Sequence, residues 1–437
     1  MPFKLSDLLQ PFEDFFKRQA SGGLVLIGAT VLALVLANSP AAPYYHAFWE
    51  TKLTIGFDNF GLSHSLHHWI NDGLMAIFFF VVGLELKREL LAGELASPRK
   101  AALPIAAAVG GMLVPALIFL AINPGPPEAD GWGIPMATDI AFALGVIALL
   151  GKRVSRSMAI FLTALAIADD LGAVLVIALF YSGPLSSTAL ALAAGFLALL
   201  IIGNRLDIQH PNYYALIGVA LWAALLKSGI HASIAGVLIG FTIPVRARHG
   251  DESFLNKSFQ LLERYKTMER TEGPFHNEQR LGTLLALEHV CHNAMSPLQR
   301  MEHEMNGWVI FGVMPIFALA NAGIHLAPSE IPTALAHPVT LGVMLGLLLG
   351  KPLGILSFSW LAVRLKFCEL PRGGSWSELA GIGILAGIGF TMSMFITNLA
   401  FIRPELATAA KFGIFTASLI AGCLGYALLY RITASKV

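Results

Sequence analysis

Charge is scarce in this sequence. Only 13% of its 437 residues are Asp, Glu, Lys or Arg, against about 25% in a soluble domain. The formal net charge of +1 leaves no basic surplus with which to hold nucleic acid. Cysteine is also scarce: Cys291, Cys368 and Cys423 are odd in number and follow no framework spacing, so no disulfides are expected. A secretory leader is not expected either, because Glu13, Asp14, Lys17 and Arg18 precede the first apolar run and no Ala-x-Ala site follows it. What the chain has instead is hydrophobic residues, 56% of the total, at a mean hydropathy of +0.68. Runs of roughly 20 apolar residues, enough to cross a bilayer, recur along its length. The fold class predicted is an all-α polytopic membrane protein.

The apolar runs fall at 20–37, 69–86, 101–122, 132–150, 157–181, 187–203, 212–225, 230–244, 307–323, 338–363, 378–400 and 407–431, which makes twelve spans. Alternate connections are rich in Lys and Arg: Lys87, Arg88, Arg99 and Lys100, then Lys152, Arg153 and Arg156, then Arg205, then Arg246 and Arg248, then Arg364, Lys366 and Arg372. The positive-inside rule then puts both termini in the cytoplasm. Residues 38–68 form a long outer loop with β-like pieces, read as a hairpin able to pair with a second copy at a sheet edge. Residues 245–306 hold 8 Lys/Arg and 9 Asp/Glu, a large share of the chain's charge, and are read as a cytoplasmic helical insertion between spans eight and nine. The whole chain, 1–437, is read as a single domain.

Against this background, "FLTALAIADDLGAVLVIALF", residues 161–180, stands out: Asp169 and Asp170 are adjacent in the middle of an apolar span, and the nearest basic residues in sequence are Arg156 and Arg205. Ionisable groups inside spans are costly and mostly functional. The others are Asp72, Glu85, Asp139 and Lys351. Asp72 and Glu85 lie near opposite ends of span two, where a solvated helix end is an equally good reading. Neighbouring residues differ by about 100° around a helix, so Asp169 and Asp170 can face one cavity and different partners. Two carboxylates this close resist simultaneous ionisation and titrate as a pair. Carboxylate oxygens also suit a hard cation. Such a pair holds protons or a small cation but not both together, and that competition is the minimum chemistry of exchange.

Span four, "GWGIPMATDIAFALG", is interrupted by Pro135 just before Thr138 and Asp139, and span eleven, "GIGILAGIGFTMSMF", by glycines. The two spans belong to three-helix units at 101–181 and 338–431 whose offset of seven spans gives them opposite topology. Interrupted spans at matching places in two halves point to a midplane transport site. Half-helix N-termini are positive and C-termini negative. Asp139 can offset the first and Lys351, in "LLLGKPLGILS", the second.

These residues resemble the NhaA-type bacterial sodium/proton antiporters. The resemblance is carried by "INDGLMAIFFFVVGLELKREL", "GWGIPMATDIAFALGVIALLG", "LAIADDLGAVLVIALFY", "LKSGIHASIAGVLIGF", "PIFALANAG", "LLLGKPLGI" and "GIGFTMSMFI". It implies twelve helices in inverted three-helix repeats, with spans four and eleven discontinuous and crossing. It implies an electrogenic antiporter that exports Na+ or Li+ for about two H+, regulated by pH and serving sodium and pH homeostasis. It implies no enzyme activity and no cofactor. It also implies residence among inner-membrane lipids, and a homodimer through the periplasmic hairpin. Residue by residue, it implies cation and proton binding by Asp169 and Asp170, and a crossing site at Thr138 and Asp139 with Lys351. It further implies a pH-regulating group at the cytoplasmic funnel: Glu85, Arg88, Glu302, His303 and His231. Asn306 stands where some members carry a second histidine, and Glu288–His289 offers an alternative to Glu302–His303.

Other readings fare worse. "EHVCHNAM" places His289, Cys291 and His292 together, but ordinary solvated helix residues explain it better than a metal. Intramembrane aspartyl proteases use aspartates from separate helices with a Gly-x-Gly-Asp signature, which is absent here. A passive cation channel is the stronger rival, and only a coupling measurement separates it from an exchanger.

Overall fold

The computed structural model describes residues 5–57, 60–247, 251–268, 278–325, 329 and 331–434. The chain is mostly helical. Among the described residues, seven helices are long and apolar enough to cross a membrane: Leu66–Ala92, Pro98–Ile122, Glu128–Leu150, Arg156–Phe180, Ser187–Arg205, Pro338–Arg364 and Pro404–Thr433. Two bent pairs bring the number to nine: Ser21–Ala37 with Ala42–Glu50, at 112°, and Trp376–Ala386 with Phe390–Ala400, at 46°. Pro211–Leu226 is shorter and apolar. The span read at 230–244 contains only nine helical residues, Ile234–Thr242. The one read at 307–323 belongs to a longer run that starts at a Ser296 capping box and continues from Pro297 to Asn321 through a π turn.

In lipid there is no hydrophobic drive to bring helices together, so close packing rests on small residues. Pro98–Ile122 lies against Lys351–Arg364, where Gly110 and Gly354 face one another so closely that a Cβ on either would meet the other's carbonyl. Met75–Ala92 lies against Ile234–Thr242 in the same way, with Gly83 facing Val237 and Gly240.

The connection after the first helix is only partly β. Ala42–Glu50 forms a short helix that buries Tyr45 and Trp49, a segment without the alternation that marks a strand. Strands β1 (Lys52–Phe57) and β2 (Phe60–Ser65) then pair antiparallel, Lys52 opposite Ser65 and Phe57 opposite Phe60. The charged region yields helices Asp251–Thr267 and Glu278–Ala294, which pack together with Arg280 over the Tyr265 ring at 4.8 Å.

Two of the three π turns among the described residues have a common cause. Val309–Val313 precedes Pro315, and Gly346–Gly350 precedes Pro352. Proline lacks the N–H of the helix ladder and its ring clashes with the carbonyl four residues back. The extra residue of a π turn absorbs that clash and keeps the helix running. The second of these turns sets the position of Lys351.

Candidate functional site

The centre of the site is a crossing of two broken helices. Glu128–Met136 is a 3-10 segment, residues 137–139 are extended, and Ile140–Leu150 is α-helical. The second break lies at 387–389, between Trp376–Ala386 and Phe390–Ala400. The two spans share a Gly-x-Gly-Ile tetrapeptide, Gly131-Trp-Gly-Ile in one and Gly381-Ile-Gly-Ile in the other, and these are not the breaks. Each begins six residues before one, at Gly131 before Ala137 and at Gly381 before Gly387.

Main-chain groups freed by a break inside a membrane must find partners. Here each break serves the other. The Asp139 N–H donates to Ile388 O at 2.7 Å and the Thr138 hydroxyl to Ala386 O at 2.9 Å. The Asp139 carboxylate caps both helices that leave the crossing. Oδ1 accepts from Phe142 N at 3.0 Å; Oδ2 accepts from Thr391 N at 3.2 Å and from the Thr391 hydroxyl. The Ser393 hydroxyl donates to Ile134 O at 2.8 Å, and Ser418 Oγ accepts from Phe390 N at 3.2 Å. Asp139, Thr391 and Ser393 are fully buried.

Lys351 reaches the opposite pole. Its ammonium donates to Met136 O, at the C-terminal end of the 3-10 segment, and to Asp169 Oδ2 at 2.6 Å. One charged group thus covers the positive ends of the half-helices and one a negative end. Lys351, Asp169 and Asp170 are all buried, at 1%, 2% and 3% exposure. Asp169 Oδ1 has no hydrogen bond of good geometry, with Thr138 close by. Asp170, on the Arg156–Phe180 helix, makes no hydrogen bond or ion pair among the described residues. Its charged neighbours are Asp169, Glu85, Asp139 and Lys351. The site therefore holds three buried carboxylates and one ammonium, with one carboxylate neutralised, one spent on capping and one left over.

The remaining predicted residues divide between two further places. At the Ala92 end of the second span, Arg88 meets Glu89 Oε1 at 3.2 Å and Glu302 Oε1 at 3.4 Å, the latter an ion pair without hydrogen-bond geometry. Glu85 lies within electrostatic reach of Glu302, Arg88 and Glu89. His303 is exposed and makes no ion pair or hydrogen bond among the described residues. His231 is not in this cluster. It sits near the other end of the span, where Nε2 lies 3.4 Å from Asp72 Oδ1 and Nδ1 lies 2.7 Å from Ser233 Oγ. His68 flanks the same carboxylate at 3.0 Å. The grouping of His231 with the funnel residues is thus corrected: Asp72 and Glu85 are thirteen residues apart, about 20 Å along a helix. Glu288 pairs only loosely with His292, at 4.0 Å, and forms no ion pair with Arg88 among the described residues.

Sequence reasoning missed Thr391, Glu89 and the buried amides of Asn71 and Asn321. The available signal was a run of hydroxyl and amide side chains in an apolar span, Thr391, Ser393, Thr397 and Asn398. Among the described residues no group of three or more His, Cys, Asp or Glu side chains is arranged to hold a metal ion.

Comparison with known proteins identifies the family. A family model described as Na+/H+ antiporter 1 matches residues 13–429. A protein named Na(+)/H(+) antiporter NhaA 2 from Syntrophotalea carbinolica is 66% identical over the full length of both chains. Proteins named Na(+)/H(+) antiporter NhaA from Acidithiobacillus ferrooxidans and Oleidesulfovibrio alaskensis are 52% and 50% identical, each over 98% of this chain and over 99% and 95% of their own. With buried carboxylates at a crossing of broken membrane helices, and relatives of this name along its whole length, the chain belongs to the Na+/H+ antiporter 1 family.

Proposed function

We propose that this multi-pass antiporter exports one Na+, or Li+, for two H+ per cycle, with Asp169 and Asp170 carrying both substrates in turn. The observation that carries the reading is the asymmetry of that pair: Asp169 is bonded to Lys351, while Asp170 beside it is as deeply buried and has no such partner. A buried carboxylate without a counter-ion holds a proton or waits for a cation. Na+ entering from inside displaces Lys351 from Asp169 and is held by both carboxylates. Protonation from outside releases it. Thr138 and Asp139 hold the crossing rigid around the ion, and Lys351 exchanges partners as the ion comes and goes.

The wider reading follows. Counting each traverse, including Ile234–Thr242 and Pro297–Asn321, gives twelve spans, and the two interrupted spans belong to inverted repeats. The basic connections orient both termini to the cytoplasm of the inner membrane, and β1–β2 to the periplasm. There the free strand edges of the hairpin support pairing with a second copy. The region between 245 and 306 is a cytoplasmic insertion. Glu85, Arg88, Glu302 and His303 at the cytoplasmic mouth set the pH range of activity, and His231 acts from the Asp72 end.

Two protons against one Na+ move one net positive charge inward per cycle. About 100 mV, negative inside, adds roughly 2.3 kcal/mol of drive. At about 1.4 kcal/mol per decade this supports a Na+ gradient on the order of 40-fold without a pH gradient. Na+ efflux from proteoliposomes at equal internal and external pH is therefore expected to follow a K+–valinomycin potential switched on and off. Efflux indifferent to the potential would mean one proton per Na+, and Na+ flux without proton movement would mean a channel.

A further inference from the structure

Three asparagines from three spans meet at the hairpin end: Asn71 in the π turn Trp69–Leu74, Asn321 at the end of Met314–Asn321, and Asn398 in Phe390–Ala400. Asn71 and Asn321 are buried, and Asn398 and the adjoining His67 are half-buried. Two of the three amides have fixed orientations. Asn71 Nδ2 donates to His67 O and Asn321 Nδ2 to Phe317 O, each at 2.9 Å, which settles which end of each amide is oxygen. Both oxygens then point at one group. The Asn398 amide nitrogen donates to Asn321 Oδ1 at 2.6 Å and to Asn71 Oδ1 at 3.2 Å. His67 Nε2 stands 3.0 Å from the same Asn321 oxygen.

The Asn398 NH2 thus sits where two fixed carbonyl oxygens converge, a place that suits a hard cation equally well. Turning the Asn398 amide over withdraws the NH2 and offers Oδ1, so that three amide oxygens face the vacated point. Asn398 also lies seven residues, about 10 Å, along the helix from Thr391, the partner of Asp139. Ser393 and Thr397 lie between them on the same helix. The charges nearby are of both signs: Asp72 with His68 and His231 on one side, and Lys411 within electrostatic reach of His67 on the other.

We propose that Asn71, Asn321 and Asn398 form a second, transient site for a desolvated alkali cation, Na+ or Li+, between the Asp169–Asp170 pair and the hairpin side. The proposal rests on the exchange reading above. Neutral amide oxygens, unlike carboxylates, hold a small cation without binding a proton in its place. A relay on an ion path must be weak enough to leave as well as enter.

The test uses full-length protein reconstituted in one orientation, with Na+ presented to either face. Wild-type exchange is measured first, and its absence would sink the antiport reading without touching the amide site. Asn398→Leu leaves the Asn71 and Asn321 amides on their backbone carbonyls and removes the turning one. The Na+ concentration for half-maximal exchange is expected to rise about five-fold at the hairpin face and to stay unchanged at the other. The maximal outward rate falls by the same factor, as reversibility requires. Asn398→Asp is expected to lower the hairpin-face value instead, and it reads the same asymmetry should Asn398→Leu not reach the membrane. Equal changes at both faces, a loss of thermal stability alone, or no change would show that the triad only ties three spans together, and the proposal would fall.

Discussion

The crossing and the Arg88 cluster are both made of charged side chains that join separate spans, yet they meet water differently. At the crossing, Asp139, Asp169, Asp170 and Lys351 are all buried. At the cluster, the Arg88 side chain is 41% exposed, and its bond to Glu302 is long and poorly angled. Coulomb interactions are strong where water is excluded and weak where it is present. Carboxylates and cations thus form a rigid, high-cost centre in one place and an adjustable one in the other. The first suits chemistry that must not vary. The second suits control.

Substitutions separate the two. The largest effect is expected from Asp170→Asn: Na+-dependent proton movement falls by about 100-fold or more, the loss of a group acting in the transport step itself, while the protein still folds into the membrane. Wild-type exchange in that variant would end the carboxylate-pair reading. Lys351→Ala comes next. It leaves Asp169 buried without its ion pair, a change worth about 3–5 kcal/mol. A marked drop in detergent melting temperature should accompany loss of transport; an unchanged melting temperature would show that Lys351 and Asp169 do not depend on each other. Thr391→Val removes one hydrogen bond to a buried carboxylate, about 1.5–3 kcal/mol where the acceptor is charged. Exchange should slow roughly in step with the lost stability. Smallest is Glu302→Gln, for which a long, poorly angled pair with a part-exposed Arg88 predicts about 1 kcal/mol of stability. Its effect should appear as a displaced pH profile with the maximal rate retained. A shift seen with Glu288→Gln and not with Glu302→Gln would move the control site to the Glu278–Ala294 helix.

Much of the crossing was legible in the sequence because charge inside an apolar span has few explanations. Asp139, Asp169, Asp170 and Lys351 announce themselves by their surroundings, and Pro135 marks its break. The hydroxyls do not. Thr391 and Ser393 pass as ordinary members of a membrane helix, and only the fold shows that they face Asp139 and Ile134. The helix Ala42–Glu50 is hidden for another reason: nine residues beside two strands are too few to show a clear helical period, and burial of Tyr45 and Trp49 on one face decides the matter. His231 was read by motif, and a motif gives no height within the membrane. Its contact with Asp72 depends on where a nine-residue helix sits against the second span.

The Asp139 carboxylate has one more consequence, which belongs to genetics. It caps two helices whose first turns lie some 250 residues apart in the chain, at Phe142 and Thr391. A change at this codon is therefore two lesions at once. A second-site suppressor that repairs one helix start leaves the other bare, so single suppressors of an Asp139→Ala allele should be rare beside true revertants. The two halves of the gene are tied through this position, and neither can drift there without the other.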